Sequence, residues 1–334
     1  MKKRTGFIFI LSLLLMMMSA CGNSASTSGE QEEGKADGPL AGQPVTILTG
    51  GTSGIYFQLG NALAKIYSEE LGAQTSAQTT GASAENTAKL SRKKAELGFA
   101  MADTVTDAYT GAGNFAKVGA LSNVRAIASL YPNYMQIVAP KKLGIKTLED
   151  LKGKDLAVGA LGSGTEIMAK RILEEAGITY DDVNADFLSF SEGIEGIKNG
   201  TTDVAFLSSG YPNSGIMELA ATDEVEIIAV PKEITESLQK KYPAFEVDSI
   251  PANTYKGVKK DTETVKVNNL LITHQDLSNE EAYLLTKTLF ENLDDLQNAH
   301  SSAKHIDLEK AALKLPLPLH PGAERYFKEQ GVLQ

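Results

Sequence analysis

The stretch VTILTGGTSGIYFQLGNALAKI, residues 45–66, decides the fold. Its β-prone start at residues 45–49 predicts a strand, and the apolar residues that follow recur at the spacing of one helix face: Ile55, Leu59, Leu63 and Ile66. A loop of glycine, serine and threonine separates the two. Such a loop leaves backbone N–H groups at a helix N-terminus, where the positive end of the helix dipole favours an anionic group.

A second stretch, LAVGALGSGTEIMAKRIL at residues 156–173, repeats this strand–loop–helix order. Its helix has one apolar face and is predicted to end at Gly177. The rest of the body also alternates strands and helices, which is typical of an α/β fold. Two loops of the same kind suggest a ligand held between two lobes.

The N-terminus predicts export. Basic residues at positions 2–4 precede an apolar run at residues 7–20, which is shorter than the ~20 residues of a membrane-spanning helix. Met18-Ser19-Ala20-Cys21 resembles a bacterial lipoprotein processing site, so we expect residues 1–20 to be a signal peptide and Cys21 to carry the lipid anchor. A secreted protein cleaved elsewhere is the alternative. Residues 21–43 are rich in Ser, Gly and Glu and predict a flexible tether.

The composition of the chain argues against several classes of chemistry and of partner. Cys21 is the single cysteine, so the folded body has neither a disulfide nor a thiol nucleophile. The chain has 42 acidic and 32 basic residues. Removal of the basic leader residues would lower its net charge from -10 to about −13, which argues against nucleic acid or an anionic membrane surface as a partner. An anionic ligand would therefore have to be recognised locally.

Other elements are predicted with coarser bounds. We expect a strand at residues 96–103 that ends in Asp103, separate strands at 123–131 and 134–140, and a strand at 201–210 that enters a polar turn. A short helix capped by Thr147 should precede the second Gly/Ser unit. One long helix should run from Ser278 to about Asn298.

The order of several motifs resembles the TAXI family of substrate-binding proteins of TRAP transporters. These motifs are TGGTSGIYFQLGNALA at 49–64, GASAENTAKL at 81–90, LGFAMAD at 97–103, LEDLKGKDLAVGALGSGT at 148–165, VAFLSSGYP at 204–212, IPANTYKG at 250–257 and LPLHPGAERYFKEQG at 317–331. Relatives often carry a polar pair where this chain has Met101-Ala102.

The resemblance implies a type II periplasmic-binding-protein fold, in which two doubly wound α/β lobes are joined by a hinge. Lobe 1 would comprise residues 44–138 and 251–334, and lobe 2 residues 139–250. The protein would capture a small carboxylate-bearing solute, glutamate or a related amino or dicarboxylic acid, and deliver it to TRAP transporter membrane subunits. We expect an extracytoplasmic monomer tethered to the cell membrane.

Ten residues are predicted to contact the ligand: Gly51, Ser53, Tyr56, Ser83, Asn86 and Asp103 from lobe 1, with Ser163, Gly164, Thr165 and Tyr211 from lobe 2. Ser83 could equally be a helix N-cap, and Asp103 an ordinary helix cap. The two acids Glu85 and Asp103 would favour a ligand that carries an ammonium group. Tyr131, Tyr134 and Tyr255 are interpreted as hinge-packing aromatics.

The residues offer little for catalysis, and no cofactor is expected. Neither Ser53 nor Ser163 has glycine both two residues before and two after it, so the nucleophile-elbow pattern fails. His300 and His305 lack the spacing of a helical zinc pair. GAGNFA at residues 111–116 follows no apolar strand, so we interpret it as a loop rather than a dinucleotide fingerprint. A binding protein for an ATP-driven importer and a ligand-presenting sensor module remain alternatives.

Overall fold

The computed structural model describes residues 38–334. The predicted signal peptide and the lipidation site Cys21 lie outside the described residues, as does most of the predicted tether. Residues 38–43 are described and pack on the body: Leu40 is buried, and its amide donates to the carbonyl of Leu71 at 2.9 Å. The folded part therefore begins before Pro44. From Gly38 onward, no helix is both long and apolar enough to cross a bilayer.

Within residues 38–334, ten strands form one mixed sheet. Their bounds are β1 Pro44–Leu48, β2 Gln74–Gln78, β3 Leu97–Met101, β4 Val124–Pro140, β5 Asp155–Ala157, β6 Asn184–Asp186, β7 Val204–Ser209, β8 Val225–Ile228, β9 Phe245–Ile250 and β10 Thr262–His274. The strand order is β2-β1-β3-β10-β4-β7-β5-β6, with β8 paired to β4 and β9 paired to β10.

The sheet has two α/β halves. In the first half, β1 pairs in parallel with both β2 and β3. In the second half, β5 pairs in parallel with β6 and β7. The long strands β4 and β10 are antiparallel to each other and to the neighbours β7 and β3. Helices connect the parallel strands within each half, which gives the two-lobe α/β architecture that the sequence predicted.

The chain passes between the halves along β4 and returns along β10. β4 pairs with β10 up to Tyr134 and with β7 from the same residue onward. β10 pairs with β9 up to Val267 and with β3 from Asn269 onward. The two strands expected at residues 123–131 and 134–140 are thus one. Pro132 does not end it, because the pairing with β10 tolerates a register shift beside the Pro132–Asn268 pair.

In the described part of the chain, ten α-helices pack around the sheet. They are α1 Ile55–Leu71, α2 Ser83–Ser91, α3 Ala102–Thr110, α4 Gly164–Glu175, α5 Phe190–Asn199, α6 Ser214–Thr222, α7 Lys232–Lys241, α8 Asn279–Glu291, α9 Leu293–Ala299 and α10 Pro321–Glu329. The predicted α1 stripe is buried, with Leu59 and Leu63 each 1% exposed. Residues 149–151 form only a 3-10 turn, where the carboxylate of Asp150 accepts from the amide and hydroxyl of Thr147.

Two further predictions of local structure are wrong. The strand expected to end in Asp103 ends at Met101, and Asp103 lies in the first turn of α3. The long helix expected from Ser278 breaks into α8 and α9 at Asn292. The Asn292 side-chain amide donates to the carbonyl of Thr288 at 2.8 Å, and such side-chain bonding competes with the helical hydrogen bonds.

Candidate ligand-binding cavity

A cavity of about 110 Å³ lies between the halves, where the C-terminal ends of parallel strands from both halves meet. This edge is where α/β sheets place ligands. The volume is several times the ~10–15 Å³ that one water requires. Its lining residues come from both halves: Gly50, Gly51, Ser53, Gly54, Ile55, Tyr56, Thr80, Gly81, Ala82, Tyr131, Asn133, Ala160, Ser163, Thr165, Ser189, Phe190, Ser208 and Ser209.

Four helices begin at this cavity. Their N-cap residues are Gly54 for α1, Ala82 for α2, Ser163 for α4 and Ser189 for α5, and all four line it. Ser163 and Ser189 accept hydrogen bonds from amides of their own helices. No side chain caps α1 or α2. First-turn amides and converging positive dipole ends therefore favour a negative group at this position.

Two hydroxyls at the cavity lack protein partners. Among residues 38–334, three buried side-chain polar atoms make no hydrogen bond, and two of them, Ser53 Oγ and Tyr131 Oη, belong to lining residues. Tyr131 is 0% exposed, and burial raises the pKa of its phenol, so the hydroxyl stays protonated and can donate. Buried polar groups are nearly always paired, so these two hydroxyls indicate a binding partner that is not part of the chain.

Five predicted ligand contacts line the cavity: Gly51, Ser53, Tyr56, Ser163 and Thr165. Tyr56 stacks on Phe99, with ring centroids 5.1 Å apart, and its hydroxyl donates to Asn269 Oδ1. Thr165 and Ser208 share a hydrogen bond of 2.6 Å between their hydroxyls. The two Gly/Ser loops therefore meet at one cavity.

The structure places Ser83, Asn86 and Gly164 behind the cavity wall. Ser83 is not the N-cap of α2, which is Ala82, and its hydroxyl accepts from the amide of Met101 at 3.1 Å. Asn86 is fully buried, and its side-chain amide donates to the carbonyls of Thr49 and Phe99. Gly164 packs so closely on Ser83 and Met101 that a Cβ would lie 2.8 and 2.5 Å from their side chains.

Asp103 is paired with a cation. Its carboxylate lies 2.7 Å from Arg171 on α4, and the same guanidinium contacts Asp107 at 2.5 Å and the ring of Tyr242 at 4.1 Å from the centroid. Burial raises the pKa of Asp103, and the Arg171 charge opposes this shift. Asp103 therefore joins α3 to α4 behind the cavity.

Glu85 and Tyr211 also have other partners. The Glu85 carboxylate accepts from the Gly81 amide at 2.6 Å and pairs with Lys89 at 2.6 Å. Burial opposes its ionised form, but the hydrogen bonds from Lys89 and Gly81 prevail and hold the pKa of Glu85 below its usual value. Tyr211 packs edge-on against Tyr134, with ring centroids 4.6 Å apart. Neither residue lines the cavity.

The sequence analysis did not predict several lining residues. Thr80, Asn133, Ser189, Phe190 and Ser208 lie far apart in the chain and meet only in the fold. Ser189 alone had a local signal, because Ser189 and Glu192 form a capping box that marks a helix start. Tyr131 was interpreted as a packing aromatic, and its position in the cavity wall follows only from the path of β4.

The described residues suggest no metal centre. In the part of the chain from Gly38 onward, no group of three or more His, Cys, Asp or Glu side chains could hold an ion. His320 is fully buried, and its two ring nitrogens contact the Leu277 carbonyl and the Gly322 amide, at 2.9 and 3.2 Å. It caps α10 and lies outside the cavity lining.

Known proteins share this fold. Periplasmic binding protein BugD is 12% identical, with a TM-score of 0.56 over 87% of this chain and 94% of its own. PhnD1 from Prochlorococcus marinus (MIT 9301), solved in complex with methylphosphonate, is 15% identical, with a TM-score of 0.54 over 87% and 99%.

The periplasmic aliphatic sulphonate binding protein SsuA from Escherichia coli is 15% identical, with a TM-score of 0.46 over 86% of this chain and 84% of its own. A family profile described as NMT1-like matches residues 47–331. The chain therefore belongs to the NMT1-like family.

Proposed function

We propose that this protein is an extracytoplasmic solute-binding protein that encloses a small anionic solute between two lobes and delivers it to a membrane importer. One observation carries the proposal: two Gly/Ser loops far apart in sequence meet at one cavity, together with four helix N-termini and two buried, unpartnered hydroxyls. The predicted lobes, residues 44–138 plus 251–334 and residues 139–250, would move about β4 and β10.

The class of solute follows from the chemistry of the wall. Helix N-termini and hydroxyls suit carboxylate, and they suit phosphonate equally well. The fold relative PhnD1 was solved with methylphosphonate, so phosphonates belong in any screen beside glutamate and other amino and dicarboxylic acids.

The class of importer is a separate proposal. We propose either an ATP-driven importer or a TRAP transporter, of which the latter rests on the motif resemblance. Uptake by membrane vesicles that requires ATP would support the first, and uptake without ATP would support the second. Anchoring through Cys21 would hold the protein at that membrane; mass spectrometry of the mature N-terminus tests the anchor.

Mass spectrometry of solute that co-purifies with the protein, followed by thermal-shift ranking of related acids, tests solute capture. The double variant Ser53→Ala/Thr165→Ala removes two cavity hydroxyls and should abolish the shift while the protein stays folded. Ser122→Ala/Thr222→Ala makes the same chemical deletions at exposed positions outside the lining and should keep the shift. An equal shift in both double variants would contradict the proposal.

A further inference from the structure

We infer that the cavity selects an acid without an ammonium group, that is, a small oxo or hydroxy acid rather than an amino acid. The inference rests on the proposed function and concerns the same cavity. It reverses the expectation from sequence, in which Glu85 and Asp103 would have faced an ammonium group.

The first argument concerns charge. Among the described residues, no Asp, Glu, Lys or Arg lines the cavity. The two acids that the sequence analysis expected beside the ligand are already paired, Asp103 with Arg171 and Glu85 with Lys89. A solute ammonium group would enter this wall without a carboxylate partner, and an unpaired buried charge is strongly unfavourable.

The second argument concerns hydrogen-bond acceptors. An ammonium group also binds to backbone carbonyls, and four carbonyls of the wall already accept a hydrogen bond. The Gly51, Ala82 and Ala160 carbonyls accept from backbone amides at 2.8–2.9 Å. The Tyr131 carbonyl accepts from the side-chain amide of Asn269 at 2.8 Å. An ammonium group would have to share these four acceptors with their protein donors.

The third argument concerns donors, which remain free. Among residues 38–334, the hydroxyls of Ser53 and Tyr131 have no partner, and no side chain caps the first-turn amides of α1 and α2. One of these amides, that of Ala84, donates to the Gly162 carbonyl at 3.3 Å. A carboxylate can accept several of these hydrogen bonds, and the oxygen of an oxo or hydroxy group can accept another. Free donors in a wall without charged side chains match an acid whose remaining polar groups are uncharged.

Calorimetry with matched pairs tests this selectivity. The probes are 2-oxoglutarate against L-glutamate, and pyruvate and lactate against L-alanine, together with any solute that mass spectrometry identifies. One of these two matched sets will bind with the higher affinity. Within that set, we expect the dissociation constant of the oxo or hydroxy acid to be at least about tenfold lower than that of the amino acid. An amino acid that binds equally well or better, or an identified solute with an ammonium group, would overturn the inference and leave solute capture intact.

A designed charge sharpens the test. Asn133→Asp places a carboxylate in the wall with little change in shape. It should therefore weaken binding of the oxo acid and reduce the ratio of its affinity to that of the amino acid. Asn114→Asp adds the same charge at an exposed site and should leave the ratio of the two affinities unchanged. An unchanged ratio in both variants would contradict the inference. Failure of every probe to bind, or equal binding by Ser53→Ala/Thr165→Ala, would instead contradict the proposed function.

Discussion

Two buried tyrosines give opposite predictions for the same substitution. Tyr131 and Tyr67 are both 0% exposed. Tyr131 lines the cavity and its hydroxyl has no partner among residues 38–334, whereas the Tyr67 hydroxyl donates to the Leu285 carbonyl at 3.0 Å. Replacement by Phe removes one oxygen and leaves each ring in place. Tyr131→Phe should therefore weaken binding without loss of stability, and Tyr67→Phe should lower stability without loss of binding.

The magnitudes follow from the two environments. A hydrogen bond from a neutral donor to a charged acceptor contributes about 1.5–3 kcal/mol. Loss of the Tyr131 hydroxyl should therefore raise the dissociation constant of the solute by about 10- to 100-fold. Because the free protein leaves that hydroxyl unpaired, its unfolding free energy should stay equal or rise by about 1 kcal/mol. Tyr67→Phe should lower the unfolding free energy by about 1 kcal/mol.

Calorimetric titration gives the dissociation constants, and urea unfolding of the solute-free protein gives the stabilities. Each variant controls for the other, since both lose one phenolic oxygen from a fully buried site. Unchanged affinity in Tyr131→Phe, together with a stability loss like that of Tyr67→Phe, would refute the reasoning. The Tyr131 hydroxyl would then have a structural partner and no role in the cavity.

Three further predictions concern stability. Arg171→Met should cost about 3–5 kcal/mol in urea unfolding because it leaves Asp103 buried without its cation, and adding Asp103→Asn should restore much of the loss. Gly164→Ala should cost about 1–3 kcal/mol in the same assay, because its Cβ would crowd Ser83 and Met101. Burial lowers the pKa of His320 below its usual 6.5, so in acid the unfolded chain binds more protons than the folded one. The melting temperature should therefore fall as the pH drops below about 6.5, and His320→Asn should make it depend less on pH in this range.

The sequence predicted elements whose signals are local. These signals come from residues within one turn or one strand of each other. They include the strand β1, the apolar face of α1, the two Gly/Ser loops and the helix that ends before Gly177. Five of the ten predicted contacts line the cavity because loops at strand ends converge in any α/β sheet of this kind.

What the sequence could not show depends on distant partners. Asp103 pairs with Arg171, 68 positions away, and no local pattern connects them. The sequence predicted a strand break at Pro132. The strand continues because the register of the partner strand β10 shifts beside this proline, which no local pattern shows. Tyr131 and Ser208 reach the cavity only through the pairing of β4 with β7, so their place in the wall required the tertiary structure.

Under the proposed function, a chain with a net charge of -10 holds an anion, and the positions of its acids explain how. Its surface field disfavours anions, but salt screens exposed charges beyond about 10 Å at 0.1 M. Within the cavity, selection must therefore come from nearby groups. Arg171 holds Asp103 behind the wall, Lys89 and the Gly81 amide hold Glu85, and the helix N-termini supply the donors. The paired acids thus keep the cavity neutral, and the amides can act on the solute without an opposing charge.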